Sequence, residues 1–138
     1  MPWRELEHPA DIRLEIEAES LGDLVKECAR AFYFFDLGFL PEESAQGLPG
    51  KISIDDGREG DLAGLLVAWM NELLYFLETA GRLFSPLVVE IDASSGRLVA
   101  RGTWRAAPGP GGRVKAVTYG GLEFDPGPPL RLEVIMDV

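Results

Sequence analysis

Asp61-Leu62-Ala63-Gly64-Leu65-Leu66-Val67-Ala68-Trp69-Met70-Asn71-Glu72-Leu73-Leu74-Tyr75-Phe76-Leu77-Glu78-Thr79 is the stretch from which the fold is read. Leu62, Leu65, Leu66, Trp69, Leu73, Phe76 and Leu77 recur at helical spacing. Asp61 is placed to cap the first turn, and Gly81 to supply the left-handed residue that closes a helix. The other positions are mostly apolar too, and a helix apolar nearly all round is buried on every side. It is therefore expected at the centre of the fold. Asn71 and Glu72 interrupt it; Glu72 reads either as a solvated helix position or as a functional acid.

Working towards the N-terminus, Lys51 to Asp55 is a short strand, and residues 41–50, rich in Pro, Gly, Glu and Ser, read as a loop. Before that loop, Ser20 and Asp23 stand in a capping-box-like relation. Leu21, Leu24, Val25, Cys28, Phe32 and Phe35 then form one apolar face of a helix ending near residues 36–38. Cys28 lies on that face with no cation nearby in sequence, so it reads as a buried, inert thiol. Residues 11–18 alternate, with Ile12, Leu14, Ile16 and Ala18 opposite Asp11, Arg13, Glu15 and Glu17, the pattern of a half-buried strand.

Working towards the C-terminus, strands are expected at 87–91, 97–106, 114–119 and 122–124, with turns or breaks at 92–96, 108–112 and 127–129. Leu130, Leu132, Val134, Met136 and Val138 then alternate with Arg131, Glu133, Ile135 and Asp137. The order strand, helix, strand, helix, then several strands predicts an α+β fold. It is a single-domain layered sandwich, residues 1–138, of mixed or antiparallel sheet with two main helices.

Ten net negative charges argue against direct, high-affinity nucleic-acid binding, which needs clustered Lys and Arg against phosphate. Cations or a basic protein surface are the more natural partners. No apolar run approaches the roughly 20 residues of a membrane helix, and the opening residues lack the pattern of a secretory leader. With one cysteine and no internal disulfide, a cytoplasmic location is the expectation. One Cys and one His exclude a zinc site in practice. There is no phosphate-binding loop of the P-loop or dinucleotide type and no nucleophile elbow.

The residues that remain for chemistry are acids near both ends of the chain. If the strands at 11–18 and 130–138 are neighbours, Asp11, Asp137 and the terminal oxygens of Val138 share one site. Such oxygen donors suit a hard divalent cation, Ca²⁺, Mg²⁺ or Mn²⁺. The alternative is a pair of solvated strand-end acids. His8, three residues before Asp11, reads as a general base or as a structural histidine. Lys115, placed mid-strand, reads as a counter-ion to the acids or as a plain edge lysine.

Four segments together resemble the archease family: His8-Pro9-Ala10-Asp11-Ile12; Asp61-Leu62 with Trp69-Met70-Asn71-Glu72-Leu73-Leu74-Tyr75; Val114-Lys115-Ala116-Val117-Thr118-Tyr119; and Val134-Ile135-Met136-Asp137-Val138. They stand in the family's order and span the chain. Pro9 replaces a usual threonine, Gly120 follows Tyr119 where a histidine is common, and Val138 replaces a usual isoleucine. The resemblance implies an accessory protein, not itself an enzyme, of the GTP-dependent RtcB-type RNA ligase in tRNA splicing and RNA repair. It would promote ligase guanylylation and multiple turnover. The resemblance also implies a divalent ion, usually calcium, held by Asp11, Asp137 and Val138, with Lys115 and Glu72 at other shared polar positions. Two rival readings stand beside it: a metal-dependent phosphoester hydrolase using Asp11, His8 and Asp137, and a chaperone-like interaction module.

Overall fold

A computed structural model describes residues 2–6, 11–42, 46–55, 61–109, 112–118 and 124–138. Among these lie two helices and eight strands, in the order β1 (Trp3–Leu6), β2 (Ile12–Ala18), α1 (Leu21–Leu37), β3 (Leu48–Asp55), α2 (Leu62–Ala80), β4 (Arg82–Asp92), β5 (Arg97–Ala106), β6 (Ala116–Thr118), β7 (Phe124–Asp125) and β8 (Leu130–Asp137). Two antiparallel sheets form. One runs β1-β2-β8-β6, with β7 also paired to β8; the other runs β3-β5-β4. The fold is α+β, as the element order predicts.

Both helices begin and end on residues chosen for the purpose. Ser20 Oγ accepts the Asp23 N–H at 3.2 Å, and Asp61 Oδ1 accepts the Gly64 N–H at 2.8 Å. Gly38 and Gly81 close the C-termini at φ 85° and 62°, a left-handed conformation that residues with a Cβ seldom adopt. α2 is central as expected: Leu65, Leu66, Trp69, Met70 and Leu73 are fully buried, and the helix packs on α1, β3, β4 and β6. Trp69 Nε1–H donates to the Val25 carbonyl at 3.0 Å, binding α2 to α1 inside the core. Tyr33 Oη accepts the Phe84 N–H at 2.9 Å and binds α1 to β4. Among the described residues no helix is long and apolar enough to cross a membrane.

The strands depart from expectation at four places. β1 carries no periodic signal in the sequence, since Trp3 is its one buried residue. β3 starts at Leu48, inside the expected loop. Its Gly50 stands where a Cβ would strike the Trp104 indole, so the glycine that suggests a loop is there for a close approach within the sheet. β4 starts at Arg82, directly after the α2 cap, and carries Pro86 at an irregularity in the β4–β5 register. An edge strand tolerates the missing N–H there. β6 is only Ala116–Thr118, so Lys115 precedes it and is not mid-strand. Tyr119 and residues 122–123 lie outside the described residues, and Phe124–Asp125 forms β7.

Candidate functional site

β8 is the central strand of its sheet, and its last residues are where the candidate side chains gather. β2 lies along one edge, with Ile12 opposite Met136, Leu14 opposite Val134 and Ile16 opposite Leu132, all six buried. Continuing that register by one residue sets Asp11 opposite Asp137. In antiparallel strands opposed residues project from the same face. The buried pairs point inward, so the two acids lie on the outer face at the end of the ladder; both are half-buried. On the other edge of β8, Ala116 stands opposite Asp137, and the Lys115 N–H donates to the Asp137 carbonyl at 2.7 Å. The register thus brings Asp11 and Asp137 to opposed positions, and the main chain of Lys115 is bonded to that of Asp137.

The charges along this outer face follow a pattern. Glu15 and Glu133 are directly opposed, which alone would be unfavourable. Each has its own arginine: Arg4 reaches Glu15 at 3.2 Å and Arg13 reaches Glu133 at 2.9 Å. Further along, Arg131 faces Glu17 at 3.3 Å. No arginine extends the pattern to Asp137, which has no ion-pair partner among the described residues. Lys115 is exposed, and its ammonium group makes no ion pair among them either. No group of three His, Cys, Asp or Glu side chains is close enough for a closed metal site among the described residues. Two carboxylates with an oxygen of Val138 would suit a hard cation that completes its shell with water.

The segment carrying Lys115 is held by two residues whose roles were not read from the sequence. Asn71 presents its amide to the outer edge of β6: its Oδ1 accepts the Val117 N–H at 2.9 Å and its Nδ2 donates to the Val117 carbonyl at 2.8 Å. The side chain substitutes for a neighbouring strand. Asp36, only 4 % exposed near the end of α1, accepts the Val114 N–H on Oδ1 at 2.8 Å, and its own carbonyl accepts the Arg113 N–H at 3.2 Å. A Cβ at Gly112 would collide with the Asp36 carboxyl, so the chain must pass there as glycine. Burial pushes the Asp36 carboxyl above its usual range, the Val114 N–H opposes this, and Glu78 adds to the rise. The visible signals were an amide in an apolar helix and an acid following Phe34-Phe35.

Glu72 is half-buried on α2 beside Asn71 and has no side-chain partner among the described residues. His8 lies outside the described residues. Cys28 is fully buried, and that burial, with Glu27 nearby, pushes its thiol far up, as expected of an inert residue.

The profile of the Archease protein family (MTH1598/TM1083) matches residues 3–138. The chain is 35% identical over 132 residues to the protein archease of Methanopyrus kandleri, covering 91% of this chain and 90% of that one. To the protein archease of Pyrococcus furiosus it is 30% identical over 132 residues, covering 89% and 87%. In fold it is similar to the solution structure of Methanobacterium thermoautotrophicum protein 1598, with a TM-score of 0.68, 23% identity and 99% of each chain covered.

Proposed function

Because the chain belongs to the archease family, we propose that it is a non-catalytic accessory protein of a GTP-dependent RtcB-type RNA ligase in tRNA splicing and RNA repair, acting in the cytoplasm. It promotes guanylylation of the ligase and its multiple turnover. The observation that carries the reading is the Asp11–Asp137 pair: two like charges at opposed positions, where the β2–β8 register is continued by one residue.

Opposed carboxylates destabilise a ladder unless a cation lies near them. Asp11, Asp137 and an oxygen of Val138 would hold a divalent ion, Ca²⁺ before Mg²⁺ or Mn²⁺, since all the donors are oxygens. When bound, such an ion supplies charge compensation and orients anionic oxygens. The protein's own part is positional. Asp137 is fixed between β2 and β6, and the Lys115 N–H holds its main chain, leaving the carboxylate directed outward. Lys115 is an exposed cation on the segment bonded to Asp137, a group suited to phosphate oxygens in the ligase's nucleotide site.

The test measures guanylylation of the cognate ligase with GTP and metal, with and without a catalytic amount of this protein. Wild type, Asp11→Ala and Asp137→Ala are compared after circular dichroism has verified their folding. Stimulation by wild type that both variants lose is the expected result. Full stimulation by both folded variants refutes the role of the acids, and no stimulation by wild type refutes the accessory role.

A further inference from the structure

Away from the acids, one face of α1 meets β4 and β5 around a cavity of about 50 Å³. Lys26, Ala29, Arg30 and Tyr33, at successive helical positions, line it from α1; Ser85 lines it from β4 and Arg105 from β5. The small Ala29 leaves the space open. In a chain with a net charge of −10, three cations against one acid, Glu42, around one small cavity are a local reversal of sign. Arg30 is already engaged, bonded to Glu27 at 3.0 Å and lying over the Trp3 ring, so the charge available to a ligand comes from Lys26 and Arg105. Lys26 is half-buried and has no partner among the described residues.

Polar groups of this wall have bonding capacity left over. Ser85 is 8 % exposed, and its hydroxyl makes no hydrogen bond among the described residues. Tyr33, 5 % exposed, accepts the Phe84 N–H, which leaves its own proton to be donated. Arg105 donates to the Glu42 carbonyl at the rim, while its Nε is buried without an acceptor. Its guanidinium is close enough to the Tyr33 hydroxyl to offset part of what burial does to that group. A buried donor left unpaired is costly, and the Arg105 Nε group, beside two hydroxyls with protons to donate, calls for an acceptor. The volume exceeds that of one water and suits a group of a few heavy atoms.

We propose that this cavity is a binding site for a small oxyanion, a phosphate or carboxylate group, held by Lys26, Arg105, Tyr33 and Ser85. Charge-assisted bonds from the two cations supply the attraction, and the two hydroxyls fix the orientation. The site is separate from Asp11 and Asp137 and needs no metal.

The experiment is an amide-resolved NMR titration of the full chain, in chelator and at constant ionic strength, with inorganic phosphate and separately with acetate. The expected result is saturable shifts at Tyr33, Phe84 and Ser85. The Lys26→Met variant should bind roughly tenfold more weakly or worse, as loss of a charged partner implies. Ser85→Ala should weaken binding with the fold intact. Stronger binding of phosphate assigns the site to phosphoryl groups, and stronger binding of acetate to carboxylates. Absence of saturable shifts with either anion, or equal affinity in wild type and Lys26→Met, overturns the proposal.

Discussion

Replacing Asn71 by alanine removes both hydrogen bonds that close the outer edge of β6. The two bonds, at 2.8 and 2.9 Å, go to the same residue, so Val117 loses the partners of its N–H and its carbonyl together. Each ordinary bond is worth about 0.5–1.5 kcal/mol net, and an unpaired group that stays buried costs about 1–3 kcal/mol. Val117 is 2 % exposed, so water relieves that cost only if β6 moves. Alanine returns roughly 0.6 kcal/mol through its better helix propensity. The balance is a loss of about 2–3 kcal/mol, a fall in Tm of roughly 6–12 °C for a chain of this size. Urea unfolding gives the magnitude, and amide exchange at Val117 shows where it arises. Asn71→Asp makes a sharper comparison: near neutral pH it sets a carboxylate against the Val117 carbonyl, whereas the protonated acid regains a donor. A protein with Asn71→Ala that unfolds within about 0.5 kcal/mol of wild type, with Val117 equally protected, refutes the reasoning.

Asp36→Asn should alter how stability depends on pH. The Asp36 carboxyl is raised in the folded state, so its contribution is greatest below the unfolded value of about 3.9 and is lost as pH rises through the folded value. Stability of the Asn variant relative to wild type should therefore climb across that window and then level off in denaturant melts; a flat difference would count against it. Calcium should raise the Tm of wild type and not that of Asp137→Asn, because only a ligand of the folded state stabilises it; equal shifts in the two proteins would remove Asp137 from the metal site. Cys28 should fail to react with an aromatic disulfide reagent under native conditions and react fully in denaturant, as its burial requires. Rapid native labelling would contradict its placement.

The parts of this fold that were legible in the sequence are those where one face is buried over several residues. α1 and α2 declare themselves by spacing and by the capping residues Ser20, Asp61 and Gly81. β2 and β8 alternate cleanly because the sheet buries only one of their faces. That alternation also led to Asp11 and Asp137, which continue the outward-facing series to its end. β3 reads short because Pro49 and Gly50 resemble loop residues, and the reason for Gly50 is Trp104 on another strand. Asn71 and Asp36 were opaque for a related cause. Each hydrogen-bonds a segment far along the chain, Val117 or Val114, and nothing local marks that partnership. The arginine pattern on the outer face likewise became apparent only with the β2–β8 register.

β8 follows every other element in chain order, yet it is the strand on which β2, β6 and β7 all pair. During synthesis the β1–β2 pair therefore waits with an unsatisfied edge while α1, α2 and the whole β3-β5-β4 sheet are made. The Arg13–Glu133 contact joins positions 120 residues apart. Contacts of such range are slow to form and leave strand edges open to wrong partners meanwhile. The β3-β5-β4 sheet and the helix pair can assemble first, with the other sheet closing as a final, long-range step. Asp11 and Asp137 come to opposed positions only once β8 has paired with β2, however early β2 itself is made.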